Sequence, residues 1–244
     1  MAKIERKVDY KKEKKRLDGR KMDELRPIKV KTGVIDRADG SAYVEWGRNK
    51  AIATVYGPQE VLPRHLTDPY RAVLVATYRM APFSVSEHKN SRPGRRDYEL
   101  SKVIGEALSA SVFLEKFPKT MIKVDVQIFD ANAGTRITAL TAASVALADA
   151  GIPMKGLVAG TAVGKAFGEL LIDLTKDEED APDAVDMTTA FIPATDEIVL
   201  LQIDGLLKFD EWKKCLDMAS KASKNVERFE KESLLSEYAQ EGDQ

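Results

Sequence analysis

Histidine and cysteine are nearly absent from this chain of 244 residues, which holds two histidines, His65 and His88, and one cysteine, Cys215. One cysteine makes no internal disulfide, and its neighbours Trp212, Leu216 and Ala219, at helical spacing, mark it as a small core residue. Neither histidine stands in a Ser/His/Asp or Cys/His arrangement, and no Cys/His spacing suits zinc. No uncharged run approaches the ~18 apolar residues that argue for a membrane span. Charge from Lys3 onward leaves no apolar stretch for a signal peptide. These absences predict a protein of the cytoplasm, or by the same default the nucleus, without a membrane partner. An excess of one charge is also lacking: 38 Lys and Arg stand against 39 Asp and Glu. No global field therefore announces nucleic acid.

What is present is apolar content of 43%, enough for a core, and a length that suits one large or two small domains. Charge is distributed unevenly. Lys3, Arg6, Lys7, Lys11, Lys12, Lys14, Lys15 and Arg16 make a basic start, read as a mobile or loosely docked arm over residues 1–16. Arginines gather at Arg92, Arg95 and Arg96, and carboxylates from Asp177 to Asp186.

The pattern predicts a hairpin over 41–56, with strands at 42–46 and 51–56, a turn at Gly47-Arg48-Asn49-Lys50, and Gly57-Pro58 closing the second strand. A strand at 71–78 and a Pro/Ser/Gly/Arg loop follow. Leu100, Val103, Ile104, Ala107, Leu108 and Val112 predict a helix over 97–117 capped by Asp97. Alternation from Ile122 to Ile128 predicts a half-buried strand, and Ala133-Gly134-Thr135-Arg136 opens a small-residue helix that ends near Ala150. After Pro153 the pattern restarts, with strands at 157–163, 166–167, 169–174, 190–192 and 197–203 and a long helix over 210–238. Two successive units of strands followed by helices make an α+β protein with a first half at 17–152 and a second at 153–244.

Three constellations could carry chemistry. The helix entrance at Gly134-Thr135-Arg136 offers free N–H groups, a positive dipole end and a guanidinium, which together could seat an anion. No Gly-Lys-Ser/Thr follows, so it is not a Walker motif, and a glycine before a helix is by itself usually a plain turn. Arg95-Arg96 precedes a helix, where like charges meet the positive end of the dipole; they are either a solvated pair or half of an anion site. The carboxylates Asp177-Glu178-Glu179-Asp180, Asp183 and Asp186 read alone as a solvated loop, or as oxygen ligands for Mg²⁺ beside phosphate. Together, two anion seats and one acidic cluster suggest phosphoryl transfer.

The order of short motifs resembles the RNase PH family: Arg16-Leu17-Asp18-Gly19-Arg20, Glu24-Leu25-Arg26-Pro27, Asp39-Gly40-Ser41-Ala42, Gly57-Pro58-Gln59-Glu60, Tyr78-Arg79-Met80-Ala81-Pro82-Phe83 and Ala133-Gly134-Thr135-Arg136. The match runs from about Leu17 to at least Ala219. Pro63-Arg64-His65-Leu66, Arg95-Arg96 and Ala148 to Met154 look most like the catalytic RNase PH-like subunit of the archaeal exosome. The resemblance implies two ribosomal-protein-S5-domain-2-like halves, with mixed sheets packed with helices. It implies phosphate-dependent 3′→5′ degradation of single-stranded RNA to nucleoside diphosphates, and the reverse polymerisation. The implied partners are a second RNase PH-like subunit, in a hexameric trimer of heterodimers, and S1/KH-type RNA-binding cap subunits. An RNase PH-type homo-hexamer trimming tRNA 3′ ends and a non-catalytic RNA-binding ring subunit are the alternatives.

Carried over by resemblance, Gly134, Thr135, Arg136 and Arg96 hold inorganic phosphate, the co-substrate, and Arg64, Arg95 and Arg96 hold RNA. Asp180 and Asp186 are the catalytic carboxylates and hold Mg²⁺, or Mn²⁺ in its place, which leaves Glu178, Glu179 and Asp183 solvated or in a supporting role. Two departures are visible. Glu87-His88-Lys89 stands where the family often has an arginine in the middle, and Thr188 follows Met187 where proline is common. Neither is expected to touch a site residue.

Overall fold

The computed structural model describes residues 16–241. The predicted arm therefore lies outside the described residues except for Arg16. That residue is no part of a loose arm: it is 2% exposed and its guanidinium pairs with the buried carboxylate of Glu178. It also donates to the carbonyls of Ile172 and Asp173. A cation without water needs such partners, and they lie too far along the chain to leave a local signal.

The first half holds β1 (Ile28–Thr32), β2 (Gly40–Trp46), β3 (Asn49–Glu60), β4 (Val73–Met80), α1 (Arg95–Ser111), β5 (Thr120–Asp130) and α2 (Thr135–Asp149). Its sheet runs β1-β2-β3-β5-β4, antiparallel except for the parallel β4–β5 pair. The second half holds β6 (Ala159–Ala166), β7 (Glu169–Ile172), the four-residue α3 (Lys176–Glu179), β8 (Val185–Ile192), β9 (Glu197–Asp204) and the long α4 (Phe209–Glu241). Its antiparallel sheet runs β7-β6-β8-β9.

Several boundaries differ from the sequence pattern for identifiable reasons. The first hairpin turns on two residues, because Trp46 pairs with Asn49. Strand β3 continues through Gly57-Pro58 to Glu60, with a register shift between Tyr56 and Gln59 that steps past the residue lacking an N–H. Phe167 and Gly168 do not extend a strand. Both have positive φ and form the β6–β7 turn, with their N–H groups held by Asp183. Asp186 lies on strand β8 rather than in a loop.

The buried core is continuous between the halves: Val158, Ala159, Ala190, Ile192 and Val226 join the cluster that contains Val124, Ile104 and Leu140. Helix α2 is apolar on nearly all sides because it is covered on nearly all sides, with Ile137 to Leu147 buried throughout. Its Ala and Thr side chains let sheets and helices approach closely. Segment 16–26 reaches over the second half, where Met22 accepts the Ile172 N–H. These crossings fix the halves in one orientation and define the cleft between them.

Candidate functional site

The cleft of about 800 Å³ opens where the first turn of α1 meets the ends of β8 and β9. Arg95, Arg96, Glu99, Arg136, Lys176, Glu179, Asp186, Gln202 and Asp204 line it. A smaller chamber of about 290 Å³ continues inward to Ala133, Gly134, Thr135, Lys89 and Thr188, sharing Arg96, Arg136, Lys176, Glu179 and Asp186. The helix entrance and Asp186, separated by fifty residues of chain, thus face one space.

Two successive left-handed residues, Ala133 at φ 58° and Gly134 at φ 66°, build the entrance. Glycine takes that conformation readily, and alanine only where its surroundings impose it. Among the described residues, the amides of Ala133, Gly134, Thr135 and Arg136 meet no acceptor in the chain. The Tyr78 hydroxyl donates to Thr135 Oγ1 at 3.1 Å, which leaves the threonine proton available to a ligand. Arg136 Nε is buried and has no partner among the described residues. Burial lowers the Arg136 pKa, the Asp186 charge counters that, and Arg96 adds to the lowering. A guanidinium so placed is a cation short of anions.

Across the space, Asp186 Oδ1 is buried without a partner among the described residues, while Oδ2 accepts from Thr188 Oγ1 at 3.4 Å. The departure at Thr188 therefore does reach a site residue, because alternate residues of β8 share one face. Burial raises the Asp186 pKa, Arg136 opposes the rise, and Asp204 on the neighbouring strand adds to it. Glu179 is raised further, to about 7, by burial first and by the Asp186 charge second.

The acidic segment is sorted by one helical turn. Thr175 and Glu178 form a capping box, in which Glu178 Oε2 accepts the Thr175 N–H at 2.8 Å while the same carboxylate meets Arg16. With Glu178 turned inward, the next residue around the helix, Glu179, faces the cleft. Asp180 comes to the exposed side, 2.6 Å from Lys176 Nζ at i,i+4. Asp180, expected in the cleft wall with Asp186, thus stands at its rim behind Lys176, and Glu179, expected to be solvated or supporting, lines the cleft. The Thr175-x-x-Glu178 spacing is the signal that could have foretold this.

Arg95 and Arg96 occupy the first turn of α1 after the N-cap Gly94. Asp97 is not the cap; it stands three residues further in, accepting the Gly94 N–H at 2.7 Å and Lys89 Nζ at 3.0 Å. Its buried charge offsets the repulsion between two arginines and the helix dipole. Arg64 lies apart from the cleft on an exposed turn, paired with Glu60 at 3.1 Å. Among the described residues no three His, Cys, Asp or Glu side chains gather to cage a metal. The carboxylates of Glu179 and Asp186 nevertheless fit a hard cation that takes its remaining ligands from water and phosphate, since Mg²⁺ is commonly held by one or two carboxylates.

Residues 24–153 match the 3′ exoribonuclease family, domain 1, and residues 156–222 match domain 2 of the same family. The chain is 51% identical over 227 residues to the exosome complex component Rrp41 of Thermoplasma volcanium, covering 93% of this chain and 91% of that protein. It is 52% identical over 224 residues to the Rrp41 of Thermococcus kodakarensis, covering 92% and 90%. Among solved structures, rice Rrp46 superposes with a TM-score of 0.81 at 24% identity, covering 90% of this chain and 100% of that one. The Archaeoglobus fulgidus exosome with RNA bound to the active site superposes at 0.74 and 23% identity, covering 88% and 92%. Those two likenesses concern the fold.

Proposed function

The chain belongs to the RNase PH family of 3′ exoribonucleases, and from that premise we propose that it degrades single-stranded RNA from the 3′ end by phosphorolysis, as the catalytic subunit of an exosome-type ring. The observation that carries the proposal is the facing of two unsatisfied groups in one cleft, the guanidinium of Arg136 and the carboxylate of Asp186. A non-catalytic RNA-binding subunit has no need of that costly opposition.

Inorganic phosphate sits at the amides of 133–136 with Arg136 and Arg96, next to the last phosphodiester of the RNA. Two anions repel, so the arginines hold them together long enough for in-line attack. A phosphate oxygen bonds to the terminal phosphorus, the bond to the 3′ oxygen breaks, and charge on the transferring group is met by donors already in position. Asp186 faces Arg136 across the cleft, where it would pass a proton to the departing 3′ oxygen, a role that its pKa, raised by burial, favours. The product is a nucleoside diphosphate, and the reverse direction polymerises. Glu179 and Asp186, with Asp180 at the rim, would hold Mg²⁺ or Mn²⁺, which supplies positive charge to the phosphates when bound.

Arg95, Arg96 and the more distant Arg64 bind the RNA backbone, which gives little base preference. The Rrp41 relatives are exosome complex components, which supports a multisubunit assembly; a second RNase PH-like subunit alternating in the ring, S1/KH-type RNA-binding caps and a cytoplasmic setting belong to this same proposal. No helix among the described residues is long and apolar enough to cross a membrane.

The test is an RNA decay assay of the purified complex with and without phosphate, with the products identified. Nucleoside diphosphates released only with phosphate support the reading, and monophosphates released without it would overturn it. In the same assay Arg136→Ala raises the phosphate requirement more than it weakens RNA affinity.

A further inference from the structure

The phosphate seat points into the cleft because two buried side chains far from it in sequence hold its carbonyls from the other side. Asn49, fully buried at the first residue of β3, accepts the Asn132 N–H through Oδ1 at 2.5 Å. Through Nδ2 it donates to the Ala133 carbonyl at 2.5 Å and to Thr138 Oγ1 at 3.2 Å. Arg26 donates through Nη1 to the Asn132 carbonyl at 2.6 Å and through Nη2 to the Ala133 carbonyl at 3.4 Å. Asp173 fixes Arg26 in turn, its Oδ1 lying 2.6 Å from Nη2 and its Oδ2 3.0 Å from Nε.

A trans peptide is planar, with C=O and N–H pointing in opposite directions. Carbonyls 132 and 133 are drawn toward Asn49 and Arg26, so the N–H groups of Ala133 and Gly134 must face away from them, toward the cleft. The two left-handed residues follow from the same grip, because Ala133 has no intrinsic preference for φ 58°. A Cβ built on Gly134 would stand 3.0 Å from Arg26 Nη2, so a side chain there would push against the clamp.

We propose that Asn49 and Arg26 are positioning residues for phosphate: they touch no substrate but set the direction of the seat's amides. The inference rests on the phosphorolytic reading above and extends it to residues outside the cleft lining.

The experiment compares wild type with Asn49→Leu, close in size but without hydrogen bonds, as full chains in the purified complex. Inorganic phosphate affinity is measured by calorimetric titration, the phosphate KM and kcat by RNA decay, RNA affinity by filter binding, and folding by near-UV circular dichroism. Loss of amide aim weakens phosphate binding and raises its KM on the order of tenfold, with RNA affinity unchanged. A merely structural role lowers kcat in step with the folded fraction and leaves the phosphate KM where it was, which overturns the proposal. Arg26→Lys keeps a cation opposite Asp173 but cannot span both carbonyls. It decides the matter if Asn49→Leu does not fold, with the same two outcomes. Wild type that neither binds nor uses phosphate removes the functional reading itself, whereas wild-type phosphate binding retained in a folded variant removes only the positioning role.

Discussion

Glu179 and Asp186 line the same cleft, and the charge of Asp186 is the second cause, after burial, of the Glu179 pKa near 7. Two carboxylates in one partly dry space resist ionising together.

That pair predicts a pH dependence of stability. Glu179 holds its proton more tightly folded than unfolded, where its value is the ordinary 4.5. Its contribution is therefore fully present below about 4.5 and is lost as pH rises toward about 7. Thermal unfolding without divalent cations should show stability falling across that window, and Glu179→Gln should flatten the fall. Added Mg²⁺ should restore stability in wild type more than in the variant.

Asp186→Asn should retain RNA binding and lose most turnover, since the amide cannot give the departing oxygen a proton at the same position. Single-turnover decay at saturating RNA checks this, and unchanged decay would remove Asp186 from the mechanism. Asp180→Asn should raise the Mg²⁺ concentration for half-maximal turnover by roughly tenfold, a change typical of groups supporting a metal site.

Asp173 receives the Arg26 backbone N–H at 2.7 Å, the Arg26 side chain and Trp46 Nε1 at 2.9 Å, all in the interior. Arg26 leads the groups that hold its pKa low against burial. Asp173→Ala leaves a buried guanidinium uncompensated and should cost about 3–5 kcal/mol. Calorimetry of the variant should show a melting temperature lower by on the order of 10 °C. The contribution of Asp173 is present above its ordinary value and is lost as pH falls through the lower folded one, so wild type and variant should converge in acid.

Glu230 on α4 is fully buried, and among the described residues neither carboxyl oxygen has a partner. Burial, then the neighbouring Glu227, pushes its pKa far up. Glu230→Met removes an unsatisfied polar group at similar volume and should stabilise the protein by about 1–3 kcal/mol. A melting temperature unchanged or lowered would show that the carboxyl has a partner in the assembled protein.

Local periodicity was enough to place most elements. Alternation marked β5, the Ala-rich run marked α2, and the spacing of Leu100, Ile104 and Leu108 marked α1. These signals are legible because burial of one face repeats with the element's own period. The order of motifs also made the family recognisable, and with it Gly134, Arg136, Arg96 and Asp186. Element ends were less legible, since the β3 bulge and the Phe167-Gly168 turn depend on partners across the sheet.

What the sequence alone determined was therefore most of the elements, though not β1 or α3, the chemistry available to them and the family. Only the tertiary structure decided that Arg16 lies inside and that Asn49 and Arg26 grip the phosphate turn from behind. Those outcomes depend on contacts between residues 84 to 162 positions apart, and such contacts leave no periodic trace along the chain.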